Sequence, residues 1–211
     1  MSYLPKHFEE TDAGTLHALV NDFPLATWVV PHNGELLINH IPFLLDTERG
    51  EFGTLVGHVA RANPVWQARG TASVAVFNGP QAYVSPSWYP SKHVHGKAVP
   101  TWNYAVVHAH GVARTLDDPE QLLQLLNRLT DHHEAHQAHP WKVSDAPAAY
   151  IESMLGAIVG IEIPVQRWEG KWKTSQNRTA ADRLGVAAGL MAQSRQQVDP
   201  MVTLVRQGLA P

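Results

Sequence analysis

Gly79-Pro80-Gln81-Ala82-Tyr83-Val84-Ser85-Pro86-Ser87-Trp88-Tyr89, followed after a short insert by Val99-Pro100-Thr101-Trp102-Asn103-Tyr104, is the stretch that decides how this chain folds. Residues 82–85 and 101–116 have strand character, and the second of these strands is long. Ser85 and Ser87 flank Pro86, whose ring keeps the residue before it extended and leaves both hydroxyls free to donate. Thr101, Trp102 and Asn103 open the second strand, so their side chains alternate between its two faces.

Outward toward the N-terminus, residues 72–77 and 53–60 add strands, and residues 62–69 make one or two helical turns. Residues 25–30 and 36–45 pair through His32-Asn33-Gly34, where Asn-Gly is the strongest short hairpin signal. Thr11 or Asp12 caps a short helix with Leu16, Leu19, Val20 and Phe23 at helical spacing, and Pro24 lies just beyond its end. Toward the C-terminus, Asp118-Pro119 opens a helix carrying Leu122, Leu125, Leu126 and Leu129 along one face. A second helix fits residues 146–157. Ile161, Ile163 and Val165 then alternate in a strand over 159–172, in which Pro164 marks an edge or a bulge. The Ala- and Gln-rich residues after Asn177 read as helical. Strands joined by hairpins, with helices at the ends, predict an antiparallel α+β barrel rather than alternating βαβ units. No linker divides the chain, so one domain over residues 1–211 with a helical C-terminal segment from about 177 is expected.

Composition bounds the function. A chain of 211 residues can bury roughly 70% of the surface its unfolded form exposes. A net charge of −3 argues against a surface that is a polyanion footprint throughout, so any DNA contact is local. The absence of cysteine removes disulfides, thiolate metal sites and cysteine nucleophiles together. Lys6, Glu9, Glu10 and Asp12 break up any apolar signal-peptide core. No apolar run approaches the roughly 18 residues a membrane span needs, so a cytoplasmic address is expected.

Five segments, in this order, resemble the PaiB family: Leu4-Pro5-Lys6-His7-Phe8; Gly57-His58-Val59-Ala60-Arg61-Ala62-Asn63-Pro64-Val65-Trp66; the two segments quoted at the outset; and Glu169-Gly170-Lys171-Trp172-Lys173-Thr174-Ser175-Gln176-Asn177-Arg178. Thr174 stands where the family commonly has leucine. The resemblance implies an antiparallel split β-barrel related to pyridoxamine phosphate oxidases, with peripheral and C-terminal helices. It also implies FMN held between the two protomers of a homodimer, and a negative transcriptional regulator or a flavin-dependent oxidoreductase. The residues it marks for the cofactor are Arg61, Asn63, Ser85, Ser87, Thr101, Trp102, Asn103, Lys173, Ser175 and Gln176. These residue types suit the ligand: a flavin phosphate calls for cations and small donors, and its flat ring for an apolar or aromatic wall. Arg61 and Asn63 sit where a strand gives way to a helical turn, whose exposed N–H groups complement a phosphate. Catalytic residues are left unassigned, and no metal site is expected.

Two patterns compete with this reading. His132, His133, His136 and His139 include pairs at helical spacing, but Gln137 occupies the position that an H-E-x-x-H zinc motif needs for histidine; a solvated helix end accounts for the cluster. His93, His95, His108 and His110 fall near the expected barrel mouth, where one could face the flavin. A heme-binding or heme-degrading split barrel, with one of the many histidines as axial ligand, is the alternative. Residues 179–192, with Leu184-Gly185-Val186, resemble the turn of a helix-turn-helix motif, though Arg178, Arg183 and Arg195 are the only cations nearby and Asp182 offsets one. Direct DNA binding is therefore only thinly supported, and a non-enzymatic regulatory module remains an alternative.

Overall fold

The structure is a computed structural model and describes residues 2–193 and 200–208. Its strands are ordered β3-β2-β6-β7-β9-β5-β4 in one antiparallel sheet, with β1 and β8 also pairing with β9. The chain forms two compact units, one of residues 20–77 and 108–168, the other of residues 1–19, 78–107 and 169–211. It passes between them four times, three of these within strands β6, β7 and β9.

In the first unit, β2 (Leu25–His32) and β3 (Glu35–Pro42) pair from Leu25 opposite Pro42 to His32 opposite Glu35. Asn33 and Gly34 have φ of 50° and 83°, the positive pair that a two-residue type I′ turn demands. β4 (Leu44–Asp46) pairs with β5 (Thr54–Ala60), and β5 with the first half of β9 (Ile158–Lys173). β8 (Arg114–Leu116) also pairs with β9. Trp28 packs edge-on against Phe43 at 6.1 Å. Its indole N–H donates to Ser73 Oγ at 3.0 Å, and Ser73 donates to the Gly111 carbonyl at 3.1 Å, so this buried polar chain is satisfied. Asp118 caps α3 (Pro119–Glu134) by accepting from the Gln121 amide at 2.9 Å. Leu125 and Leu129 of α3 cover Val56. α4 (Ala148–Gly156) follows.

In the second unit, Asp12 accepts from the Thr15 amide and hydroxyl at 2.7 and 2.8 Å at the start of α1 (Ala13–Asp22). β1 (Glu9–Glu10) pairs with β9 at Lys171 and Gly170. A 3-10 turn (Pro86–Trp88) and α2 (Pro90–His95) join β6 (Ala72–Val84) to β7 (Thr101–Val112). α5 (Ala180–Gln193) and α6 (Pro200–Arg206) build an apolar cluster in which Val84 and Tyr89 meet Val186, Leu190, Met201 and Val205. Arg183 donates to the carbonyls of Val205 (2.6 Å) and Gln207 (2.5 Å), satisfying the end of α6. Among the described residues, no helix is long and apolar enough to cross a membrane.

The α+β, antiparallel reading holds, with four local corrections. The strand expected over 36–45 divides at Phe43: β3 ends at Pro42 and pairs with β2, while β4 pairs with β5. Residues 72–84 form one unbroken strand, although Asn78-Gly79-Pro80 looks like a turn. Gly79 permits this because a Cβ there would come within 2.7 Å of Leu19 and 3.2 Å of the Ala105 carbonyl. The long strand expected over 101–116 ends at Val112 and resumes as β8. Pro164 is not at an edge: β9 lies between β7 and β5, and Pro164 sits opposite Thr54 where the β5 ladder begins.

Candidate functional site

Eight of the ten candidate residues belong to the unit that carries both termini: Ser85, Ser87, Thr101, Trp102, Asn103, Lys173, Ser175 and Gln176. β7 sorts its three by alternation. Thr101 and Asn103 share one face, and Trp102 takes the other. Asn103 is fully buried and forms a reciprocal pair with Ser175, Nδ2 donating at 2.9 Å and the hydroxyl donating back to Oδ1 at 3.2 Å. Ser175 has φ 65°, a left-handed conformation rare outside glycine that persists only where its surroundings enforce it. One residue pair along, Lys173 Nζ donates to Thr101 Oγ1. The Gln176 carboxamide donates to the Trp172 carbonyl and accepts from the Thr174 amide at 2.8 Å, closing its own turn.

Trp102 is 54% exposed and meets Tyr83, 45% exposed, edge-on at 6.1 Å. On the preceding turn, Ser85 Oγ accepts from the Ser87 amide at 3.2 Å, and the exposed Ser87 hydroxyl receives Lys92 Nζ at 3.4 Å. Lys92 is a residue the motif reading passes over. The signal for it lies in charge pattern: residues 79–104 and 170–178 contain Lys92, Lys97, Lys171, Lys173 and Arg178 and no aspartate or glutamate. The four lysines form no ion pair among the described residues, but Lys171 Nζ donates to the Tyr3 carbonyl at 2.9 Å and lies 5.5 Å from the Tyr3 and Tyr104 ring centroids, and Arg178 stacks over the Tyr89 ring at 4.9 Å.

Arg61 and Asn63 belong to the other unit, and their bonds lie within it. Arg61 donates to the Gly156 carbonyl at 3.0 Å, the Ile158 carbonyl at 2.8 Å and Asp117 at 3.2 Å. Asn63 caps the 3-10 turn Pro64–Ala68 by accepting from the Val65 amide at 3.0 Å, and donates to Asn39 at 2.6 Å. Both residues therefore organise their own turn.

Two further residues of the matched segments carry buried polar atoms with no hydrogen-bond partner among the described residues, His58 Nδ1 and Tyr89 Oη. Burial pushes the His58 pKa below its ordinary value of 6.5. Orphaned buried atoms of this kind are uncommon and call for a reason. His108 and His110 are half-buried on β7 with ring centroids 6.3 Å apart. α3 stops at Glu134, so His136 and His139 leave the helical face that would have aligned them with His132. Of the cations near the proposed helix-turn-helix, Arg178 and Arg183 are engaged as described, and Arg195 lies outside the described residues.

Residues 2–167 match the family model described as "Putative FMN-binding domain". The chain is 30% identical over 98% of its length, and 98% of the relative's, to the protease synthase and sporulation protein PAI 2 of Bacillus subtilis. An uncharacterized protein of Emericella nidulans is 36% identical, with 89% of each chain covered. Among solved structures, a FAD and heme binding protein from Mycobacterium smegmatis superposes with TM-score 0.61 at 18% identity, covering 86% of this chain and 80% of that one. The flavocytochrome Anf3 from Azotobacter vinelandii gives 0.59 at 15%, covering 80% and 72%. These neighbours share the fold, which is the split barrel expected from the sequence. FMN, the cofactor implied by the motifs, is the ligand by which the matching family is described. The chain belongs to this family of FMN-binding domains, the PaiB family.

Proposed function

We propose that the chain binds FMN with its phosphate at Ser85, Ser87, Lys92, Thr101 and Lys173 and its ring against the Tyr83–Trp102 pair. One observation carries this: Lys92 and Lys173 form no ion pair among the described residues and each donates to a side-chain hydroxyl, that of Ser87 and that of Thr101, in a chain whose net charge is −3. A dianionic phosphate supplies the charge those ammonium groups lack, and each charge-assisted hydrogen bond contributes about 1.5–3 kcal/mol. Asn103, Ser175 and Gln176 support this reading as scaffold, because their polar atoms are already committed to each other or to the local backbone. Arg61 and Asn63 enter it as the clamp of the 61–68 turn, whose geometry Arg61 fixes from three sides.

FMN, when bound, supplies hydride or single-electron chemistry; the chain binds, orients and partly desolvates it. The function is thus that of a flavin-dependent oxidoreductase or of a regulator that responds to flavin. Regulation through a partner fits better than direct DNA contact, because Arg178 and Arg183 are both used internally. A homodimer is supported by Leu36 and Ile38, 61% and 58% exposed on one face of β3 with Pro31 and Val29 opposite them on β2; a second copy covers such an apolar row. A cysteine-free chain suits the cytoplasm.

Titration of the full chain with FMN and with riboflavin, followed by flavin fluorescence, tests the reading. FMN binds more tightly by tenfold or more, on the order of the charged contacts above. Equal affinities sink the phosphate assignment, and a purified protein with a heme absorption band and no flavin uptake favours the alternative.

A further inference from the structure

Helix α5 lies beyond the residues matched by the family model, 2–167, yet one of its faces is built around the serine turn. Asp182, Gly185 and Gly189 recur at helical spacing. A Cβ at Gly185 would collide with the Trp88 carbonyl, and one at Gly189 with the Trp88 indole ring. The glycine that looks like part of a DNA-binding turn in the sequence is instead room for a tryptophan. Beside it, the buried Asp182 carboxylate accepts from the Ser91 amide at 3.0 Å and the Ser91 hydroxyl at 2.8 Å.

We infer that α5 is the positioning element of the phosphate subsite, with Asp182 as the residue that fixes the turn from Ser85 to Lys92. The two ends of that turn are then held by different means. At its start, Ser85 caps the 3-10 turn through the Ser87 amide. At its end, Ser91 is tied to α5, and the next residue, Lys92, reaches back to the Ser87 hydroxyl. Trp88, between them, is seated in the groove that the two glycines open. Lys92 and Ser87 meet only if both ends stay in place, so loss of the Asp182 contact is felt at the phosphate without Asp182 touching it. Burial resists ionisation of Asp182, but the Ser91 and Thr179 hydrogen bonds and the Arg178 charge outweigh it and hold the carboxyl below its ordinary range. It therefore serves as a doubly accepting carboxylate at neutral pH.

This inference rests on the phosphate assignment above, and its test separates the two. FMN and riboflavin affinities are measured for the wild type, Lys92→Ala, Asp182→Ala and Asp182→Asn, with hydrogen exchange of the Ser91 amide in the flavin-free protein. Asp182→Ala weakens FMN by about tenfold, riboflavin much less, and speeds Ser91 exchange. Asp182→Asn, which keeps an acceptor for the Ser91 amide, falls between it and the wild type and serves if the alanine variant folds poorly. With Lys92→Ala impaired for FMN, an unchanged FMN affinity in both Asp182 variants, or equal losses for the two flavins, overturns the role of α5 alone. Unchanged FMN affinity in Lys92→Ala removes the phosphate from this turn and the inference with it.

Discussion

Arg61 and Lys173 are both cations beside a turn that the sequence marks for a phosphate, and they differ in where their protons go. Arg61 gives its N–H groups to two carbonyls and a carboxylate, which ties residues 156–158 and 117 to the 61–68 turn. Lys173 gives one proton to a neutral hydroxyl and forms no ion pair among the described residues. A fixed guanidinium fork is good at tying several fixed oxygens together, and an ammonium on a flexible stem is good at following a mobile anion. Charge near a turn is thus not enough to propose a phosphate ligand; whether the cation's N–H groups are already bonded within the protein also counts.

The contrast can be broken by substitution, taking the largest expected change in stability first. Arg61→Ala strands the carbonyls of Gly156 and Ile158 and costs about 1–2 kcal/mol, the guanidinium being partly exposed and its bonds screened. Its thermal midpoint falls while the ratio of FMN to riboflavin affinity stays put; a changed ratio would return Arg61 to the phosphate.

His58 is harder to protonate folded than unfolded. The unfolded chain then takes up the proton first, so this residue's contribution to stability is complete above the ordinary pKa of 6.5 and is lost as pH falls below it. His58→Gln should flatten the dependence of the melting midpoint on pH between about 7 and 5 relative to wild type; parallel curves would show that His58 does not titrate with unfolding. Asp182 has the opposite chemistry and the same sign. Its folded pKa lies below 3.8, so its stabilisation is present above that value and fades as pH drops through the lower folded one. Acid titration of Asp182→Asn should show a correspondingly smaller loss.

Tyr89→Phe gives the smallest effect. The hydroxyl has no partner among the described residues, so removing it leaves stability unchanged or raises it by up to about 1 kcal/mol. A loss of more than that would mean the hydroxyl is bonded in solution.

Local chemistry made much of this legible in advance. Asn33-Gly34 specified a hairpin because only a few residues tolerate two successive positive φ values, and Asp118-Pro119 specified a helix start because cap and N1 preferences coincide there. The uninterrupted course of β6 was hidden because Gly79 answers to Leu19, far away in sequence, rather than to its neighbours. The same holds in the site. Alternation alone separates Trp102 from Thr101 and Asn103, but the carbonyls that occupy Arg61 lie about a hundred residues further on, and the glycines of α5 acquire their meaning only beside Trp88. Lys92 was visible as charge without an acidic neighbour, a pattern that motif matching does not weigh.

On this proposal the flavin phosphate is held by Lys92 and Lys173 and not by Arg61. Isothermal titration of FMN and riboflavin into Lys173→Ala and Arg61→Ala tests it most directly. Lys173→Ala should lose about ten- to a hundredfold in FMN affinity with riboflavin hardly changed, and Arg61→Ala, once folded, should bind both as the wild type does. The reverse pattern, with FMN lost in Arg61→Ala and retained in Lys173→Ala, would contradict the account.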